Sequence, residues 1–103
     1  MARAATTSDP FNAIAEPQRR RILTLLKDGE RGVNELADAL RVTQPRTSKH
    51  LRVLREVGLV TVREAGQRRL YALNAAGLQP IHAWVGGFEQ FWHESFDRLN
   101  AYV

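Results

Sequence analysis

A chain of 103 residues with 44% hydrophobic content is one domain with a modest core, too short for two domains. Having no cysteine, it excludes a disulfide framework and a thiolate metal site, and no apolar run near its start resembles a leader or a membrane span, so a cytoplasmic protein without a membrane partner is expected. The net charge of +4 is concentrated: residues 41–73 hold eight Arg/Lys against two Glu, whereas residues 1–40 balance and residues 74–103 are net acidic. A basic block of this kind marks a surface that meets a polyanion, because a merely solvated face usually mixes its signs.

In chain order, residues 1–7 lack apolar periodicity and are expected to form a loose tail. Ser8-Asp9-Pro10 is a helix start, with Ser8 as N-cap and Pro10 in the first turn, leading into Phe11, Ile14 and Ala15. Pro17 restarts the chain as a second helix whose apolar set is Ile22, Leu23, Leu25 and Leu26, and residues 28–32 (DGERG) are expected to turn. Val33, Leu36, Ala37 and Leu40 have the i, i+3, i+4, i+7 spacing of a short amphipathic helix. After only Arg41 and Val42, Thr43 is a good N-cap, Pro45 suits a first turn and Gly58 suits the residue past a helix end. The helix so bounded has two unlike faces. Thr47, His50, Leu51, Leu54 and Val57 fall on one, while Pro45, Ser48, Lys49 and Arg52 fall on the other, with Gln44 at its margin. Its small, polar, cationic outer face suits a helix that enters a groove and meets base edges and phosphates. Two short helices so tightly joined form a helix-turn-helix.

After Gly58 the period changes to two. Val60 and Val62 alternate with Thr61 and Arg63, a glycine-containing break follows at residues 64–68, and Tyr71 and Leu73 alternate with Leu70 and Ala72. This pattern is a β-hairpin, which needs the helices for support and would carry Arg63, Arg68 and Arg69 beside the reading helix. The expected fold is mainly α with a small β-hairpin wing, a winged helix-turn-helix over residues 8–73. Residues 74–103 continue the same domain as one long helix. On it, Ile81, Trp84, Val85, Phe88, Phe91, Trp92, Phe96 and Leu99 share one broad stripe, more aromatic surface than so small a core covers, so a partner surface is expected there, completed by Phe11 and Ile14. Gly86-Gly87 opposes helix, implying either a kink or a close approach of two backbones.

The segments FNAIAEPQRRRILTLL, GVNELADAL, TQPRTSKHLRVLREVGLV and GQRRLYAL, in this order and spacing, resemble the ArsR-type winged-helix transcriptional repressors of bacteria over roughly residues 8–100. The resemblance implies a homodimer that binds double-stranded operator DNA and releases it on a signal. It places Gln44, Pro45, Ser48 and Lys49 facing bases, with Thr43 at the helix start. Arg46, Arg52 and the wing residues Gln67, Arg68 and Arg69, with Arg63, would hold phosphates or reach the minor groove. Pro45 departs from the serine many relatives carry, removing one hydroxyl from the reading surface. The family's thiolate metal motif is missing from VNELADAL. His82 and His93 resemble a second family site by spacing, but Pro80 and Phe96 occupy positions where further ligands belong, so no metal or other cofactor is expected. His50 is expected to be structural, because its helical phase points it inward. An enzyme is disfavoured: Ser8, Ser48 and Ser95 lie in no nucleophile motif and there is no phosphate-binding glycine loop. The alternative function is a protein-interaction module whose decayed winged helix binds DNA weakly and without sequence preference.

Overall fold

The computed structural model describes residues 9–93. Its elements, in chain order, are α1 (Pro10–Ile14), α2 (Pro17–Leu26), β1 (Arg31–Gly32), α3 (Val33–Leu40), α4 (Gln44–Glu56), β2 (Val60–Ala65) and β3 (Arg68–Leu73). A 3₁₀ turn (Ala75–Leu78), α5 (Gln79–Gly86) and further helical residues at 89–93 follow.

The starts of α1 to α4 are each specified by a local side-chain acceptor for an orphan N–H, whereas α5 follows the 3₁₀ turn without one. Asp9, rather than the expected Ser8, caps α1: its Oδ1 accepts from the Phe11 N–H at 2.9 Å. Glu16 does the same for α2 through the Gln18 N–H at 2.7 Å, and Pro10 and Pro17 occupy first turns where no N–H is needed. Thr43 Oγ1 accepts from Arg46 N–H at 3.3 Å to start α4, and Gly58, at φ +80°, ends it. Between α3 and α4, Arg41 takes the left-handed conformation at φ 60°, which makes so short a connection possible.

The core lies where α2, α3 and α4 meet the sheet. Ile22, Leu36, Leu51, Leu54 and Leu59 are wholly buried, joined by Leu26, Leu40, Val60 and Tyr71. Thr47, also wholly buried, donates its hydroxyl hydrogen to the Thr43 carbonyl at 2.9 Å, so its burial leaves no orphan polar group. From α1 the core takes Ala13, whereas Phe11 and Ala15 stay exposed and Ile14 packs at the edge.

Two expectations need correction. The turn expected at residues 28–32 contains β1, so the wing is the outer part of a three-stranded antiparallel sheet of order β1-β3-β2, with Arg31 opposite Tyr71 and Gly32 opposite Leu70. The hairpin itself pairs Val62 with Tyr71 and Ala65 with Arg68, leaving only Gly66 and Gln67 at the tip, where Gly66 supplies φ +67°. The single long helix expected from residue 74 starts only at Gln79, after the 3₁₀ turn, and is interrupted at Gly86-Gly87, where a kink is one of the two alternatives expected. The Gly87 N–H bonds Trp84 O and the Phe88 N–H bonds Val85 O, tighter i→i−3 links that end α5 before helix resumes at 89. Two successive glycines remove about 2 kcal/mol of helix propensity at this point, which accounts for the break. Phe96 and Leu99 of the aromatic stripe, and the tail at residues 1–7, lie outside the described residues. Within them Ile81 and Val85 are half-buried. Trp84, Phe88, Phe91 and Trp92 are exposed, and Trp84 meets Phe11 and Phe88 edge to face at centroid distances of 6.1 and 5.2 Å.

Candidate nucleic-acid interface

The outer face of α4 is solvent-exposed along its length at Gln44, Pro45, Arg46, Ser48, Lys49 and Arg52, opposite the buried Thr47, Leu51 and Leu54. The tertiary fold divides this face between two flanks. On one, a groove of about 340 Å³ runs between α4 and the wing, and Gln44 and Ser48 share its lining with Gln67, Arg68 and Arg69. Gly32, Val33, Asn34 and Glu35, from the start of α3, complete that wall together with Tyr71. On the other flank, Arg46, Lys49 and His50 line a hollow against Glu16 and Gln18 at the start of α2, with Val42 between. Arg52 lies further along the helix, with Arg55 and Glu56.

Sequence reasoning had no reason to include Asn34 and Glu35. The one available signal was the spacing of Gly32 and Glu35, since a carboxylate three residues into a helix commonly reaches back to its N-cap N–H. Glu35 Oε1 does so at 2.7 Å. That bond, assisted by Arg68, holds the Glu35 carboxyl below its ordinary pKa against a smaller opposing effect of desolvation.

The wing arginines are not equivalent. Arg63 forks onto Glu30, Nε to Oε2 at 2.7 Å and Nη2 to Oε1 at 2.8 Å, which lowers the Glu30 pKa and raises that of Arg63. Arg68 donates from Nη2 to Glu35 Oε1 at 2.6 Å. Arg69 stands 3.6 Å from Glu64, too far for a hydrogen bond and the loosest of the three. All three side chains are more than half exposed, so these pairs orient the guanidinium groups more than they stabilise the fold.

His50 is half-buried at the edge of the core. Partial burial lowers its pKa, and Arg19 and then Arg46 add to this while Glu16 opposes it. The folded chain therefore favours the neutral ring. Stability from this source is complete above the unfolded value of 6.5 and is lost as pH falls through the lower folded value. Urea unfolding at about pH 7.5 and about pH 5 should show a smaller acid destabilisation in His50→Gln than in the parent; equal pH dependence would remove His50 from the account.

His82 and His93 are both exposed, on opposite sides of the break at Gly87. His93 Nε2 lies 3.7 Å from Glu89 Oε2, and among the described residues no third ligand joins either histidine. No helix among the described residues is long and apolar enough to cross a membrane.

An exposed polar helix set in a helix-turn-helix, with a cationic wing beside it, defines a winged-helix nucleic-acid-binding protein. Residues 16–62 match the model of the bacterial regulatory protein arsR family. The chain is 35% identical to the transcriptional repressor SdpR of Bacillus subtilis, over 76% of this chain and 87% of that protein. Among solved structures, a possible transcriptional regulator for arsenical resistance is 44% identical, covering 88% of this chain and 92% of its own, with a TM-score of 0.67. The homodimeric winged helix-turn-helix DNA-binding domain Mb0332 of Mycobacterium bovis is 32% identical over 76% of this chain and 72% of its own, with a TM-score of 0.61. This chain belongs to the arsR family of bacterial transcriptional regulators.

Proposed function

We propose that the protein is a cytoplasmic, homodimeric repressor that binds an inverted-repeat operator in double-stranded DNA. The observation that carries this is the shared groove, where Gln44 and Ser48 of α4 stand with Gln67, Arg68 and Arg69 of the wing. α4, 13 residues long and exposed on its polar side, enters the major groove. There Gln44, Pro45, Ser48 and Lys49 face base edges, with Thr43 at the helix start against the backbone. Arg46 and Arg52, on separate flanks of α4, hold phosphates, and the wing tip follows the neighbouring minor groove. Arg63, forked onto Glu30, is the wing cation least free to move.

The exposed aromatics on α5 and residues 88–92, with Phe11, form the dimer surface. Two-fold symmetry then sets two copies of α4 in successive major grooves, with half-site centres about 10 bp apart. Footprinting on the DNA upstream of the protein's own gene tests this, since a repressor of this type often controls itself.

Ser48→Ala should relax base preference within the site. Arg52→Ala should weaken all sequences alike and reduce the slope of log affinity against log salt by about one. Gel shifts on operators with altered half-site spacing complete the test: binding indifferent to sequence and spacing would return the protein to the class of interaction modules with a decayed winged helix.

A further inference from the structure

Glu35 is the one acidic side chain in the wall of a groove otherwise lined by three amides, Ser48, Tyr71, two arginines, Val33 and Gly32. Its place there is fixed by the Gly32 N–H at 2.7 Å, and the same Oε1 accepts from Arg68 Nη2 at 2.6 Å, 33 residues away in sequence. The fit is close, since a Cβ added at Gly32 would lie 2.9 Å from Arg68 Nη2. Capping alone does not require a charge, because a glutamine oxygen would accept from Gly32 equally well. Stability does not require it either, since the two side chains are 60% and 50% exposed and ion pairs in water contribute little. Placing a carboxylate on a surface that meets phosphates costs affinity, so it should return something else.

What it returns is orientation. The bond engages one hydrogen of Nη2, so one two-donor edge of the planar fork, the second Nη2 hydrogen with that of Nε or Nη1, remains free on a side chain that lines the groove with Gln44 and Ser48. A guanidinium held in this way loses less conformational freedom when it meets a base edge, and its fixed geometry matches paired acceptors on that edge.

We propose that Glu35 is a positioning residue for sequence discrimination, holding Arg68 in the orientation in which its free edge reads a base next to those read by Gln44 and Ser48. This rests on the DNA-binding function proposed above.

The test compares affinities for an operator selected from random-sequence duplexes and for a scrambled duplex of equal length, by fluorescence anisotropy, in the full chain. Glu35→Gln keeps an acceptor for Gly32 and removes the charge, leaving Arg68 a bond to a neutral oxygen, weaker than one to a carboxylate and so a looser tether. Its operator-to-scrambled affinity ratio should fall about tenfold, while affinity for the scrambled duplex holds or rises because a negative charge has left. Arg68→Ala, which leaves the α3 cap untouched, should lower the ratio by a similar factor, and the double variant should be no worse than Arg68→Ala alone. A ratio unchanged in Glu35→Gln, or losses that add in the double variant, would overturn the proposal. If Glu35→Gln melts early, the Arg68→Ala ratio decides, an unchanged value counting against. A parent protein that does not prefer its selected operator would instead sink the DNA-binding function itself.

Discussion

Replacing Trp84 by glutamate is expected to leave a folded chain that no longer dimerises and that binds its operator about a hundredfold or more weakly. The indole is 61% exposed in the single chain, so the substitution removes little core. Within the single chain its aromatic contacts are edge to face with Phe11 and Phe88, worth about 1 kcal/mol each. In the proposed dimer the ring is desolvated against a second copy, where each buried aromatic contributes about 1.5–3 kcal/mol. A carboxylate at that position would be stripped of water without a partner, at a cost of several kcal/mol and twice by symmetry. Monomers keep one half-site of contacts each, so affinity falls through lost avidity although every DNA-facing side chain is intact. Sedimentation velocity with a gel shift settles it: a Trp84→Glu protein that remains dimeric and binds normally would mean that these aromatics serve another surface.

Gly77→Ala is expected to destabilise the fold by about 2–4 kcal/mol, lowering the melting temperature by roughly 10 °C or more. A Cβ at residue 77 would lie 2.3 Å from the Gly58 carbonyl oxygen and 2.9 Å from its carbon. Neither is the yielding end of a flexible side chain. Gly58 is pinned from several directions: its N–H bonds Arg55 O at 3.0 Å, its oxygen accepts from Asn74 Nδ2 at 2.8 Å, and the next residue bonds both Leu54 and Asn74. Relief of the clash therefore breaks hydrogen bonds at the end of α4 or displaces the turn that leads into α5. The matched control is Gly86→Ala, where the added Cβ meets nothing within 4 Å and helix propensity favours alanine by about 1 kcal/mol. It should melt at or slightly above the parent temperature. If both variants melt with the parent, the contact between the 3₁₀ turn and Gly58 does not hold the molecule together.

The helix-turn-helix is legible in the chain alone, because the signals that specify it act within a few residues. Thr43 caps its own third helical N–H, Pro45 occupies the first turn, and Gly58 takes the left-handed angle that ends the helix. The 3.6-residue repeat that buries Leu36, Leu40, Leu51 and Leu54 is likewise local, as is the two-residue repeat that buries Val60 and Tyr71. Those periodicities also placed Gln44, Ser48, Lys49 and Arg52 on an exposed face. Features that depend on elements remote along the chain emerge with folding and not before. Arg31–Gly32 is a strand solely because Tyr71 and Leu70 lie beside it, and two residues carry no period to recognise. The directions of Arg63 and Arg68 are set by Glu30 and Glu35, each 33 residues away, so sequence alone showed three wing cations and not which are tethered. Helical phase turned His50 inward, but how deeply it sits follows from the start of α2 packing alongside. Nothing local marks Gly77, and only the fold brings the Gly58 carbonyl against it. The physical reason is common to all four: a cap or a period is satisfied by neighbours in the chain, whereas a strand partner, an ion pair and a steric limit exist only after distant segments have packed.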